Sequence, residues 1–261
     1  MVSSGWLYRH LLTDLQANLD CSVESLQKLC LDRYRLRVKL RLLYKVRGIA
    51  KERIYGGFND SYGLLPGYVE MIKTTNPGSY SLITWSEVIA GEVPVFKACF
   101  ISFACMVRGF FGGCRPLIGI NGAHLSSHYK GQMLTVVAID RNNELVHFAY
   151  GIVDTESLES WSYFVRNMKI MFAQMGVHRE DWTSISDRMR GVDSALYDVF
   201  PKAVRRVCAQ HLYSNCKNAG WSSTTFHDLF WVAANAYNLY VFNKSMEKTH
   251  KHDPAAVELP F

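Results

Sequence analysis

The chain lacks any apolar run near the ~18 residues that a membrane-spanning helix needs, which argues against a helical membrane protein. Its opening, Met1-Val2-Ser3-Ser4-Gly5-Trp6, lacks the charged-then-apolar pattern of a secretory signal. Paired cysteine spacing is missing too. Seven cysteines, an odd number scattered along the chain, favour a reducing compartment, cytosol or nucleus. Neither an internal repeat nor a low-complexity tract is visible. What remains is globular composition: 261 residues, 49% hydrophobic and 20% charged, enough for one elaborated domain or a small one joined to a large one.

The formal net charge of +6 is unevenly placed. Residues 1–57 carry eleven Lys/Arg against five Asp/Glu, while the remainder is balanced. The basic density peaks between Lys28 and Arg53. Such a segment is an electrostatic footprint for a polyanion, and equally the solvated face of a surface helix.

Hydrophobic periodicity predicts helices first and strands later. Leu7, Leu11, Leu15 and Leu19 form an amphipathic stripe, and Ser22 is placed to cap a second helix bearing Leu26, Leu29 and Cys30. Leu43, Val46, Ala50 and Ile54 mark a third helix, ringed by Lys39, Arg41, Lys45, Arg47 and Lys51 and ended by Gly56-Gly57. A fourth is expected from about Asp60 to Thr75, kinked at Pro66 and stopped by Asn76-Pro77-Gly78. Residues 1–76 thus read as a basic, helix-turn-helix-like region. Residues 77–112 read as a β-rich connector (Tyr80–Trp85, Val95–Phe100, then a helix over Phe103–Phe111), and 113–261 as the core domain.

In that core, strands are expected at Leu117–Asn121, Gln132–Ile139 and Glu144–Val153, the last two joined by a tight turn at Asp140–Asn143. A helix over Ser157–Met175 follows, then a strand at Thr183–Ser186, a helix over Gly191–Phe200 and a strand at Val204–Val207. From Cys208 onward the pattern is helical. Three adjacent antiparallel strands followed by α/β alternation is the ribonuclease-H-like order, with a mixed five-stranded sheet.

Folds of that order set acidic residues at neighbouring strand ends, where carboxylates hold two divalent ions for phosphoryl transfer. Hard cations such as Mg²⁺ require oxygen ligands, preferably charged. Here the first core strand offers Asn121 and the fourth offers Asp187, which should lie side by side on adjacent central strands. The plainer reading makes Asn121-Gly122 a turn after a core strand.

A series of segments in fixed order resembles the transposases of Mutator-like elements and their domesticated plant relatives. They run from Asn76-Pro77-Gly78-Ser79 through Gly113-Cys114-Arg115-Pro116-Leu117-Ile118-Gly119 and Tyr129-Lys130-Gly131-Gln132-Met133-Leu134 to Ser160-Trp161. Ile185-Ser186-Asp187-Arg188 with Gly191, Phe200-Pro201, Cys208-Ala209-Gln210-His211, Phe230-Trp231-Val232-Ala233-Ala234 and Phe242-Asn243-Lys244-Ser245-Met246 complete the series.

The resemblance implies a DNA cleavage and strand-transfer activity carried by an Asp-Asp-Glu site with Mg²⁺ or Mn²⁺. The first aspartate of that site falls on Asn121, the second on Asp187, and the glutamate on Val241, with Leu239 also apolar. Glu247, six residues past Val241, lies about 240° round the helix. One carboxylate of three implies that no ion is bound stably and that cleavage is defective. DNA, as terminal inverted repeats or regulatory sites, is the expected partner, with a possible homo-oligomer and a nuclear location. Lys39, Arg41, Lys45, Arg47, Lys51 and Arg188 are the expected DNA contacts.

Other residues are weighed by the same rule. Cys208 and His211 belong to the resemblance as a structural or DNA-proximal pair, and a zinc site would have to recruit Cys216 and His227. Glu156 reads as a helix cap, His124, His128, His250 and His252 have no convergent partner, and Trp182, Trp221 and Trp231 read as packing residues. Full-length relatives carry zinc-dependent modules at both ends whose patterns are not seen here, so a chain ending Leu259-Pro260-Phe261 is expected to be the central portion of such a protein. A domesticated transcriptional regulator on the same scaffold is the alternative, and a working hydrolase using Asp154 or Asp193 beside Asp187 a third.

Overall fold

The computed structural model describes residues 2–56, 58–87, 94–126 and 130–256. His128 and Tyr129 of the sequence reading, and its terminal Leu259-Pro260-Phe261, lie outside these residues. Two compact units emerge, Met1–Tyr68 and Val69–Phe261.

The first unit is built on the leucine stripe. Helix α1 (Ser4–Ala17) buries Leu7, Leu11 and Leu15 completely, α2 (Val23–Tyr34) buries Leu26 and Cys30, and α3 (Leu40–Tyr55) buries Leu43, Val46 and Ala50. Each buried leucine contributes roughly 1.5–3 kcal/mol, enough to hold three short helices together. Ser22 caps α2 as expected, its hydroxyl accepting from the Ser25 amide at 3.0 Å. Arg33 grips Asp14 through both oxygens, at 2.8 and 3.0 Å, tying α2 to α1. The expected single kinked helix is instead two, α4 (Phe58–Gly63) and α5 (Leu65–Thr75), and Pro66 sits in the first turn of α5. A proline there removes an N–H that has no helical partner in any case.

In the second unit the sheet has seven strands rather than five. β1 (Tyr80–Trp85) and β2 (Phe96–Ser102) precede α6 (Ala104–Gly113). β3 (Leu117–His124), β4 (Gln132–Ile139) and β5 (Leu145–Val153) form the antiparallel meander, followed by α7 (Leu158–Gln174). Next come β6 (Thr183–Ser186), α8 (Arg190–Val199), β7 (Val204–Val207) and helices α9 (Ala209–Asn218), α10 (Thr224–Ala234) and α11 (Leu239–His252). The order across the sheet is β1-β2-β5-β4-β3-β6-β7. The five expected strands keep the order 5-4-3-6-7, with β6 parallel to β3 and β7 parallel to β6. β2 pairs antiparallel with the outer side of β5 and brings β1 with it, so both belong to the sheet.

The alternation of burial along the strands explains the layering. In β4, Gln132, Leu134, Val136 and Ala138 are buried while the residues between them are half-exposed. The buried side receives α7 through Trp161, Phe164, Val165, Met168 and Phe172. Phe164 fits there because position 151 is glycine. A Cβ at Gly151 would stand 2.7 Å from its ring. On α6, Phe110 stacks on Phe148 at 4.9 Å. A smaller core of Cys216, Phe226, Phe230 and Ala256 joins α9 and α10 to the C-terminal turn, and Trp221 anchors it by donating its indole N–H to Asp253 at 2.8 Å.

The Gly151–Phe164 fit is testable by unfolding in urea. Gly151→Ala should lose about 1–3 kcal/mol by overpacking, and Phe164→Ala about 3–5 kcal/mol by leaving a cavity. The double variant should lose clearly less than the two losses added together, because the smaller side chain makes room for the new methyl. Strict additivity would contradict this packing.

Candidate active site

The site begins with the pairing of two central strands. Leu117, Ile118 and Gly119 of β3 pair in parallel with Thr183, Ser184 and Ile185 of β6. The parallel pairing stops there, with Asn121 two residues further along β3 and Asp187 the residue just past the end of β6. Asn121-Gly122 is not a turn: β3 runs on to His124, pairing with β4 up to Gln132. The Cys208 amide donates to the Ser186 carbonyl at 2.7 Å, holding the start of α9 beside the end of β6. Asp187 itself accepts from the Met189 amide at 3.1 Å, which fixes the loop into α8.

A second carboxylate enters from the turn between β5 and α7. The helix cap is Ser157, whose hydroxyl accepts from the Ser160 amide at 3.2 Å, and not Glu156 as its position suggested. Ser160 in turn donates to the Thr155 carbonyl at 2.7 Å, locking the turn. Glu156 is thereby free to project over β3, where the fully buried Trp161 donates its indole N–H to Oε1 at 3.2 Å. The carboxylate lies so close to Gly122 that a Cβ there would be 2.9 Å from it. Glycine inside a strand signals such a close approach. At Gly191 a Cβ would come within 3.1 Å of the Leu158 amide, so the start of α8 is seated on the start of α7. That seating brings the Asp187 loop toward Glu156.

The electrostatics follow from this packing. Burial pushes the Glu156 carboxyl above its ordinary value of 4.5, and the nearby Asp187 charge pushes it the same way. The Trp161 indole and His124 oppose the rise. A cavity of about 580 Å³ opens beside Glu156, lined also by His124, Lys130, Gln132, Asp154 and Met189. Gln132 is only 7% exposed and directs Nε2 to His124 Nδ1 at 2.7 Å, leaving its buried Oε1 without a hydrogen-bond partner.

The remaining sequence candidates divide. Val241 lies in the first turn of α11, its amide capped by Asn238 Oδ1 at 2.9 Å, on a helix that packs chiefly on α10. Of the two substitute acids, Asp193 pairs with Arg205 at 3.8 Å and Asp154 accepts from the Thr155 amide at 2.8 Å. Cys208 starts α9 and His211 sits in its first turn with Nδ1 buried and unpartnered. Cys216 is buried in the α9–α10 core and His227 faces Asp228 at 2.9 Å. Among the described residues no three His, Cys, Asp or Glu side chains form a metal-binding group.

The six expected DNA contacts also separate. Lys39, Arg41 and Lys45 are exposed on α3 and its N-cap, and Arg188 is exposed next to Asp187. Arg47 is half-buried, donates to the Cys21 carbonyl at 3.0 Å and lies over the Tyr44 ring. Lys51 is paired with Asp20 at 2.9 Å. Both thus have partners within the helical unit.

Residues 117–215 match the family model of the MULE transposase domain, whose fold is ribonuclease-H-like. The match begins with β3 and includes Asn121, Glu156, Asp187, Cys208 and His211, while Val241 and the whole N-terminal unit lie outside it. A search of curated proteins finds no match to the chain.

The raised Glu156 pKa has a thermodynamic consequence. A carboxyl that binds its proton more tightly folded than unfolded favours folding fully at pH below the ordinary 4.5, and loses that benefit as pH rises through its folded pKa. Glu156→Gln should therefore unfold at higher urea concentration than the parent at pH 7. The difference should shrink as pH falls through the raised pKa and vanish below 4.5. A gain that persists at pH 4 would show that the charge is not its cause.

Proposed function

For a chain that carries a MULE transposase domain over residues 117–215, we propose a nuclear DNA-binding protein of transposase descent in which strand cleavage is defective. The reading is supported by an asparagine, Asn121, on the strand that pairs in parallel with the one leading into Asp187. A two-metal site brings four positive charges into one pocket and needs carboxylates to balance them and to hold attacking and leaving oxygens in line. Asn121 offers an amide oxygen without charge, and Val241 offers no oxygen ligand from its side chain. The ancestral Mg²⁺ or Mn²⁺ pair therefore does not fit the donors present.

Binding survives the loss of cutting because it rests on different residues. Exposed Lys39, Arg41 and Lys45 flank Tyr44, itself 53% exposed, on and beside α3. Cations that follow a phosphate backbone, with an aromatic ring among them, suit a nucleic acid surface. Arg188 places a further cation beside the candidate site.

Salt dependence tests the reading. Affinity for duplex DNA should fall steeply with salt. Replacing Lys39, Arg41 and Lys45 together by glutamine should lower the logarithmic salt slope by about 2–3, near 0.9 for each phosphate that is no longer neutralised. Arg47→Gln should instead lower stability with little change in slope. An unchanged slope in the triple variant would return α3 to the role of a solvated helix.

A further inference from the structure

We propose that the turn joining α10 to α11 is a two-fold contact surface on which a second copy of this chain docks. The inference uses neither the cations of α3 nor the acids of the candidate active site, so it stands or falls apart from the proposed function.

The sequence is unusual here before any packing is considered. From Leu229 to Asn243 no residue is charged, in a chain that is 20% charged overall. Part of that run serves the interior, with Phe230 buried in the small core beside Phe226. Helix α11 meets α10 through small residues. The Ser245 hydroxyl donates to the Leu229 carbonyl at 2.8 Å, and Thr249 is buried one turn further on. The large apolar side chains at the start of α11 are left outside. Tyr237 is 93% exposed, Leu239 77% and Tyr240 73%, and Val232 and Phe242 of the same run are exposed as well. Asn238 Oδ1 accepts from the Val241 amide at 2.9 Å, which caps α11 and fixes Leu239 and Tyr240 in its first turn. These side chains are therefore presented on ordered backbone, which lowers the entropy lost on docking.

The composition identifies the occupant. A solvated helix face carries polar and charged residues, and a phosphate-binding face carries Lys or Arg. The centre of this surface has neither charge nor cation. Aromatic enrichment with charge depletion marks the core of a protein–protein interface. A patch that meets its own copy across a two-fold axis repels itself when its centre holds one sign of charge, and an uncharged centre avoids this. Charges begin at the rim with both signs, Asp228 and Glu247 against Lys244 and Lys248, all exposed, so a two-fold can set acid opposite base. With ~150–250 Å² for a fully exposed aromatic side chain, the five apolar residues offer on the order of 600 Å², close to the ~800 Å² per partner of a standard interface. An area at that low end gives a reversible dimer.

Sedimentation velocity on the full chain without DNA tests the surface, in reducing buffer so that the exposed Cys105 stays free. The chain should pass from monomer to dimer as its concentration rises through the micromolar range. Tyr237→Lys combined with Tyr240→Lys should raise the dissociation constant by about tenfold or more, because like charges then meet at the centre of the contact. Leu145→Lys, at an exposed leucine of β5 outside the run, should leave it unchanged. Circular dichroism checks that each variant folds. On the unmodified chain, hydroxyl-radical footprinting below and above the midpoint should show Tyr237 and Tyr240 protected on association. A chain that stays monomeric throughout, association that continues past the dimer, a dimer indifferent to the double lysine variant, or one that leaves both tyrosines unprotected would overturn the surface.

Discussion

The parallel ladder between β3 and β6 is the constraint on which the rest of the unit depends. Parallel neighbours cannot be joined by a tight turn, so the chain must complete the β3–β5 meander and return across the sheet through α7. That return is driven by burial. Trp161, Phe164, Val165, Met168 and Phe172 leave water together, and Gly151 supplies the recess that lets the helix come close. Once α7 is seated, its first turn lies over the end of β3, and the start of α8 rests on it through Gly191. Asn121, Asp187 and Glu156, from three distant stretches of sequence, are consequences of that one packing.

Charge then decides what the assembled site can do. Two glycines beside the acids, Gly122 and Gly191, keep room for a carboxylate and a helix end. In the proposed reading, position 121 offers an amide where a two-ion reaction needs a carboxylate. In the N-terminal unit, Arg47 and Lys51 of α3 bond to the turn between α1 and α2, while Lys39, Arg41 and Lys45 face solvent.

Much of this was legible in the sequence because periodicity reports burial. The leucine stripe of α1, the strand β4 and the helix α7 each appear where the pattern put them. Pairing partners were not legible. Tyr80–Trp85 reads as a strand, but nothing local says that β2 will extend the sheet beyond β5, so five strands were expected where seven are found. The break at Leu64 was read as a kink because Pro66 fits a first turn as well as a bend. Glu156 was missed for a different reason. Its position before Ser157 mimics a cap, and only the approach of α7 to β3 reveals Gly122 as the signal of a carboxylate overhead. Arg47 and Lys51 counted as free charge because a helical wheel shows faces and not partners.

The central claim is that the site's limit is missing charge on an otherwise sound scaffold, and a nicking assay on supercoiled DNA in Mg²⁺ and Mn²⁺ tests it most directly. The unmodified chain should leave the DNA intact, and Asn121→Asp combined with Val241→Glu should gain metal-dependent nicking that Asp187→Ala removes. Nicking by the unmodified chain, abolished by Asp187→Ala, would contradict the account.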